Sequence, residues 1–285
     1  MLALLAAAVL QVLPLTAPPS YVPQRAYDTR REAFTDFEAM LADLSQADAV
    51  LVGEQHDDPN THRLELAILE GLVRRGATVI VSLEMFERDV QPLLDRYLTG
   101  GITEKEFLAG GRPWPRYATD YRPLIEFARA RNLRVVAANV PRRMASEVSK
   151  KGLSAVEGAS ADRTFAAASL ECPTSGSYFD RFGKAMGGHQ GATANFYYAQ
   201  CVKDETMGES IAEAFAKTTG RVTIVHVNGA FHSDFNEGAA HSARRRMPGR
   251  RVAIVSILPV ADLDTLQPGG EDLKRADYLL YTIKK

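Results

Sequence analysis

Leu51-Val52-Gly53-Glu54-Gln55-His56-Asp57-Asp58-Pro59 is where an apolar run stops and a polar one begins. The run Ala49–Val52 is short and β-branched, as expected of a strand buried on both faces. Gly53 lets the backbone turn or approach a ligand closely. Asp58-Pro59 reads as a helix N-cap followed by proline at the first helical position. A buried strand delivered directly into a helix is the opening of a βα unit, and hence of a parallel sheet. Glu54 and His56 are two residues apart, so on extended backbone both side chains point the same way, with Cα atoms roughly 7 Å apart. A carboxylate and an imidazole so placed can share a cation or trade protons. The competing structural reading pairs Glu54 with an arginine and lets His56 cap the helix.

Outward from this segment the pattern repeats. Thr78–Leu83, Leu133–Ala138, Arg221–Val227 and Arg251–Leu258 are further short apolar runs, and helical stretches at Thr61–Arg75, Asp120–Arg131 and Thr193–Lys217 separate most of them. Alternation of this kind predicts an α/β fold, a mostly parallel central sheet flanked by helices joined by right-handed crossovers. Residues 89–117 and 160–191 interrupt the alternation and read as helical insertions forming a lid over the strand C-terminal ends. Ser20–Arg31 reads as an arm leading to a helix near Glu32–Leu44, residues 32–285 as one α/β domain, and Ala276–Lys285 as an edge strand with Tyr278, Leu280 and Thr282 on one face.

The 285 residues are 46% hydrophobic and 24% charged, so a sizeable core is expected. A net charge of −1 gives no bulk reason to expect nucleic acid as a partner. Leu2–Ala17 has the length of a signal-peptide core rather than a membrane span, and residues 1–19 are read as a signal peptide that directs export to the periplasm or cell envelope. Cys172 and Cys201 are the only cysteines; they either pair across an irregular segment or stay as two buried thiols. No CxxCH occurs, which excludes covalent c-type haem.

Other strand ends also carry polar groups. His226-Val227-Asn228-Gly229-Ala230-Phe231-His232 repeats the strand–glycine–histidine order, placing His232 at a strand end and leaving His226 as a core histidine. Glu84 ends the second run and would lie beside Glu54 if their strands were neighbours. Asn139 and Arg142 follow the third, as substrate or anion contacts or as a turn residue and a surface charge. Ligands of open α/β sheets bind outside the carboxyl ends of strands. Glu54, His56 and His232 are therefore candidate metal ligands, and with Glu84 they are the catalytic candidates if the protein is a metal-dependent enzyme. No HExxH, GxSxG, GxGxxG or P-loop is present. His62 reads as an ordinary exposed helix residue. Tyr117, Tyr121, Tyr178, Tyr197 and Tyr198 are core residues or the lining of an apolar cleft, where a tyrosine oxygen could meet a metal centre.

Gly53-Glu54-Gln55-His56 and Gly229-Ala230-Phe231-His232, supported by Ser82–Phe86, Tyr121–Leu124, Ala138–Arg142 and by Asp204 with Met207, resemble the ChaN-like haem-binding family of the Tiki/erythromycin-esterase-like superfamily. The likeness spans about Asp48 to Pro259. It implies an α/β fold and non-covalent haem, tyrosine-ligated at a homodimer interface, with a role in iron uptake alongside envelope partners. The five tyrosines named above and Arg142 are then the haem candidates. The same superfamily holds metal-dependent hydrolases and peptidases, so the alternative is a hydrolase using a divalent metal.

Overall fold

A computed structural model describes residues 21–157, 161–187 and 190–285 of the chain; the signal-peptide reading lies outside them. Strands β1 (Gln24–Asp28) and β2 (Ala33–Thr35) precede helix α1 (Phe37–Leu44), then β3 (Ala49–Glu54), α2 (Pro59–Arg74) and β4 (Val79–Glu87). Next come α3 (Gln91–Leu98), α4 (Glu104–Gly111), α5 (Arg122–Ala130), β5 (Val135–Asn139) and α6 (Arg142–Lys151). The remainder is α7 (Ser177–Ala185), α8 (Gln190–Ala216), β6 (Thr223–Gly229), α9 (Gly238–Arg246), β7 (Val252–Val260) and β8 (Tyr278–Ile283).

Among the described residues, the eight strands form one sheet in the order β2-β1-β8-β7-β3-β6-β4-β5. From β8 to β5 every pairing is parallel, and β1 pairs antiparallel with both β8 and β2. The apolar runs thus become the parallel strands expected of them. Two expectations change. Part of the Ser20–Arg31 arm is a strand, because Ala26 and Tyr27 are buried against the sheet even though Gln24, Arg25 and Asp28 hide them in the sequence. The C-terminal strand is consequently interior, covered on its outer side by β1.

Alternation along each strand sorts the core into two layers. Val50, Val52, Val225 and Val227 pack with Met40, Leu41, Ile68 and Leu72 of α1 and α2. Ala49, Leu51, Ile224 and Ile254 pack with Met207 and Ile211 of α8 and with Ala240 of α9. Burying each Val, Leu or Ile contributes ~1.5–3 kcal/mol, so both layers drive the fold. The Asp58 side chain caps α2 by accepting from the Asn60 and Thr61 amides at 2.9 and 3.2 Å, with Pro59 in the first turn.

Cys172 and Cys201 form a disulfide with Cα atoms 5.7 Å apart, fastening the segment before α7 onto α8. It closes a separation of 29 residues, for which loop-closure entropy gives about 3–4 kcal/mol. Reductant is therefore expected to lower the melting temperature of the wild type and leave a Cys172→Ser/Cys201→Ser variant unaffected, which thermal scans with and without dithiothreitol will read.

Candidate functional site

Parity along the strands decides what each strand end presents. Glu54 falls on the α2 side of the sheet, with Val50 and Val52. Its carboxylate is buried; Oε1 is hydrogen-bonded to His56 Nδ1 and accepts from the Tyr121 hydroxyl at 2.9 Å. The other oxygen, Oε2, lies 3.3 Å from His62 Nδ1, which is also 3.3 Å from Glu65 Oε2. His62 and Glu65 are one helical turn apart on the first turns of α2 and both are buried. His62 is therefore not the exposed helix residue expected from its polar neighbours: the buried face of α2 extends to its N-terminus. Arg116 donates to the His56 carbonyl at 2.8 Å and pairs with buried Asp120, closing the group from the outside.

On the α8 side, Glu84 accepts from the Gly229 amide at 2.7 Å and lies 3.2 Å from His232 Nε2. The opposite ring nitrogen of His232 is 2.6 Å from Asp204 of α8, whose second oxygen accepts from the Tyr178 hydroxyl at 2.6 Å. Because β6 runs between β3 and β4, Glu84 is not the direct neighbour of Glu54, and each carboxylate has its own histidine partner. His226 lies within β6, buried, with Nδ1 2.8 Å from Ser82 Oγ.

The charges follow from these partners. Burial disfavours ionised Glu54, but hydrogen bonds from His56 and His62 outweigh it and hold the carboxyl below the ordinary range. Burial, then the charge of Glu54, push Glu65 well above it. Burial also opposes charge on His62 and His232, yet Glu54 and Glu65 raise the first to about 11, and Glu84 and Asp204 raise the second to about 10. Against its own burial, Glu84 is held at about 2, chiefly by the charge of His232. Burial, helped by the charge of His232 and opposed by Glu84, takes His226 down to about 3.

The two halves meet over Gly229. A Cβ there would come within 2.6 Å of His56 Nε2, so only glycine lets the imidazole lie across the end of β6. Above opens a cleft of about 960 Å³. Glu54, His56, Glu84 and His232 line its floor, Trp114, Phe182, Phe231 and Phe235 its apolar walls, and Arg181, Lys184, Lys203 and Arg275 bring positive charge. Trp114 comes from the first insertion and Arg181, Phe182 and Lys184 from α7 in the second, which places both insertions over the strand ends. The His56 side chain is 48% exposed, its ring 5.2 Å from that of Trp114.

The remaining candidates stand elsewhere. Asn139 donates to the Glu84 carbonyl at 3.1 Å and accepts from the Val140 amide, fixing the end of β4 rather than facing the cleft. Arg142 is exposed at the start of α6, outside the cleft lining. None of the five tyrosines is among the described residues that line the cleft: Tyr117 packs with Phe86 and Phe107, Tyr121 and Tyr178 serve Glu54 and Asp204, Tyr197 packs on Phe182 and Cys201, and Tyr198 packs beside Val202. Glu54, His56 and His232 do not gather as a metal trio; the donor atoms that come within 4.8 Å of one another, among the described residues, are those of Glu54, His62 and Glu65.

A parallel sheet with carboxylate–imidazole groups at its strand ends, roofed by an aromatic cleft, defines an α/β protein built to hold a ligand at that edge. Residues 40–242 match the family described as haem-binding uptake, Tiki superfamily, ChaN, and the chain belongs to that family. The structure of cofacial heme binding to ChaN of Campylobacter jejuni shares the fold, with 18% identity, a TM-score of 0.65, and coverage of 92% of this chain and 97% of that one. A succinoglycan biosynthesis protein shares it at 12% identity with a TM-score of 0.52, covering 95% of this chain and 94% of that one. Protein RETICULATA-RELATED 5, chloroplastic, of Arabidopsis thaliana is 25% identical over 263 residues, which is 84% of this chain and 34% of that protein. The chain thus spans about a third of the length of that curated relative.

Proposed function

We propose that this chain binds haem non-covalently in the cleft above β3, β6 and β4, in the cell envelope and in the service of iron uptake. The observation that carries this reading is His56. Its Nδ1 is engaged by Glu54 while the half-exposed ring opens into the cleft. A histidine fixed through one nitrogen by a carboxylate presents the other as an oriented, more basic ligand. The cleft fits the group. Its volume is at the upper end of the ~300–1,000 Å³ typical of ligand pockets, its walls carry four aromatic rings, and Lys184 and Lys203 enter no ion pair among the described residues. Those two ammonium groups suit the two propionates. Haem, when bound, supplies the iron-centred chemistry; the chain's residues hold and orient it. The disulfide supports an oxidising compartment, and a second copy closing over the cleft would cover the outer face of the ligand.

A second reading rests on one observation: haem storage gives no use for the buried Glu84–His232–Asp204 group facing the same cleft. Glu54 orienting His56 as a general base opposite that group is an arrangement suited to hydrolysis. The test is a haemin titration of wild type and Lys184→Glu/Lys203→Glu. Loss of two charge-assisted contacts should weaken binding at least about tenfold with melting unchanged. Unaltered affinity would remove the propionate assignment, and an ester or peptide turnover abolished in His56→Ala would favour the hydrolase.

A further inference from the structure

We propose that Glu54, His62 and Glu65 form a site for one divalent transition-metal ion of the zinc class, buried between β3 and α2 beneath the cleft. The three donor atoms lie within 4.8 Å of one another, and two of their three spacings are those such an ion requires. His62 Nδ1 is 3.3 Å from a carboxylate oxygen of each glutamate. Charge-assisted hydrogen bonds of this type are ~2.7–2.9 Å long, so the group is too open to be held by its own contacts alone. Ligands bound at ~2.0–2.1 Å in a tetrahedron, however, lie about 3.3 Å apart along its edges.

Two independent features point the same way. Among the described residues, Glu65 Oε1 is buried without any hydrogen-bond partner, on a residue 0% exposed, and Glu54 Oε2, on a residue 2% exposed, has only His62 Nδ1 at the long distance of 3.3 Å. Orphaned carboxylate oxygens at such depth are costly, and a cation satisfies them. The far side of His62 is arranged as well: Nε2 lies 3.2 Å from the His56 carbonyl and 3.4 Å from Asp120. Acceptors there hold one ring proton on Nε2 and turn Nδ1 toward the glutamates, so that an ion replaces only the Nδ1 proton, which is how outer partners orient a metal-binding histidine.

One imidazole and two carboxylates make three protein ligands with a fourth position open, a set suited to zinc rather than to the six or more oxygens taken by calcium. Tyr121 holds the other oxygen of Glu54 at 2.9 Å and so steers this ligand. Glu54 would then connect the ion to His56, making the cleft histidine responsive to metal occupancy.

The test uses the full chain, stripped with a chelator and then equilibrated with Zn²⁺ or Co²⁺ alone. The expected results are about one ion retained per chain, cobalt absorption bands of a four-coordinate site, and a zinc-dependent rise in melting temperature. Glu65→Gln and His62→Asn should each weaken zinc at least about tenfold, whereas His56→Ala should keep it. If Glu65→Gln does not fold, wild-type stoichiometry and the cobalt spectrum decide the question. No retained ion at micromolar free zinc overturns the site. So does an ion lost in His56→Ala but kept in Glu65→Gln, since it would then sit in the cleft.

Discussion

Replacing His232 by alanine is expected to destabilise the fold by about 3–5 kcal/mol, the usual cost of leaving a buried charge unpaired. His232 stands between Glu84 and Asp204, all three almost fully buried, so its removal leaves two carboxylates facing each other without a cation. At ~2–4 °C per kcal/mol for a chain of this size, the change in melting should be plain. The effect also has a pH signature. His232 is raised to about 10 in the folded chain, so its contribution is complete below its unfolded value, ~6.5, and is lost as pH rises through 10. Glu84 is lowered to about 2, so its share is present above its unfolded value, ~4.3, and is lost as pH falls through 2. The gap between wild type and His232→Ala should thus be widest near pH 5–6 and narrow toward pH 10. Equal melting temperatures at pH 6 would contradict the assignment of this trio as a paired group.

Glu54→Gln is expected to weaken haemin binding by about 10–100-fold, the range for partners that orient a metal-binding histidine, and His56→Ala should cost at least as much. The amide cannot supply the charge that holds His56 Nδ1, and Glu54 is also the acceptor for Tyr121 and the neighbour of His62. A structural role for Glu54 would lower melting without touching affinity. The His56 variant separates the cases, because its half-exposed ring leaves no core cavity. Haemin titrations followed in the Soret region, beside melting curves, will distinguish the two outcomes.

The parallel strands were readable because continuous Val, Ile and Leu runs bury both faces and tolerate little else. β1 was not, since Gln24, Arg25 and Asp28 mask the two residues it buries. Glu54, His56, Glu84 and His232 were placed together by a single rule, that each follows the carboxyl end of a strand. His62 and Glu65 escaped because polar residues opening a helix are ordinarily solvated. The signal was present: His62, Glu65, Leu69 and Leu72 are spaced as one stripe of α2, so the apolar face points inward at its first turn too. The tyrosines illustrate the opposite case. Residue type suggested an iron ligand, but only tertiary packing reveals that Tyr121 and Tyr178 spend their hydroxyls on carboxylates.

Ligation of haem through His56 is read out by electron paramagnetic resonance and resonance Raman spectra of the haemin-loaded wild type and His56→Ala. Saturable one-site loading with a histidine-nitrogen signature on the iron, lost in the variant, is expected. An iron–phenolate spectrum that persists in His56→Ala, or no saturable loading at micromolar haemin, would contradict it.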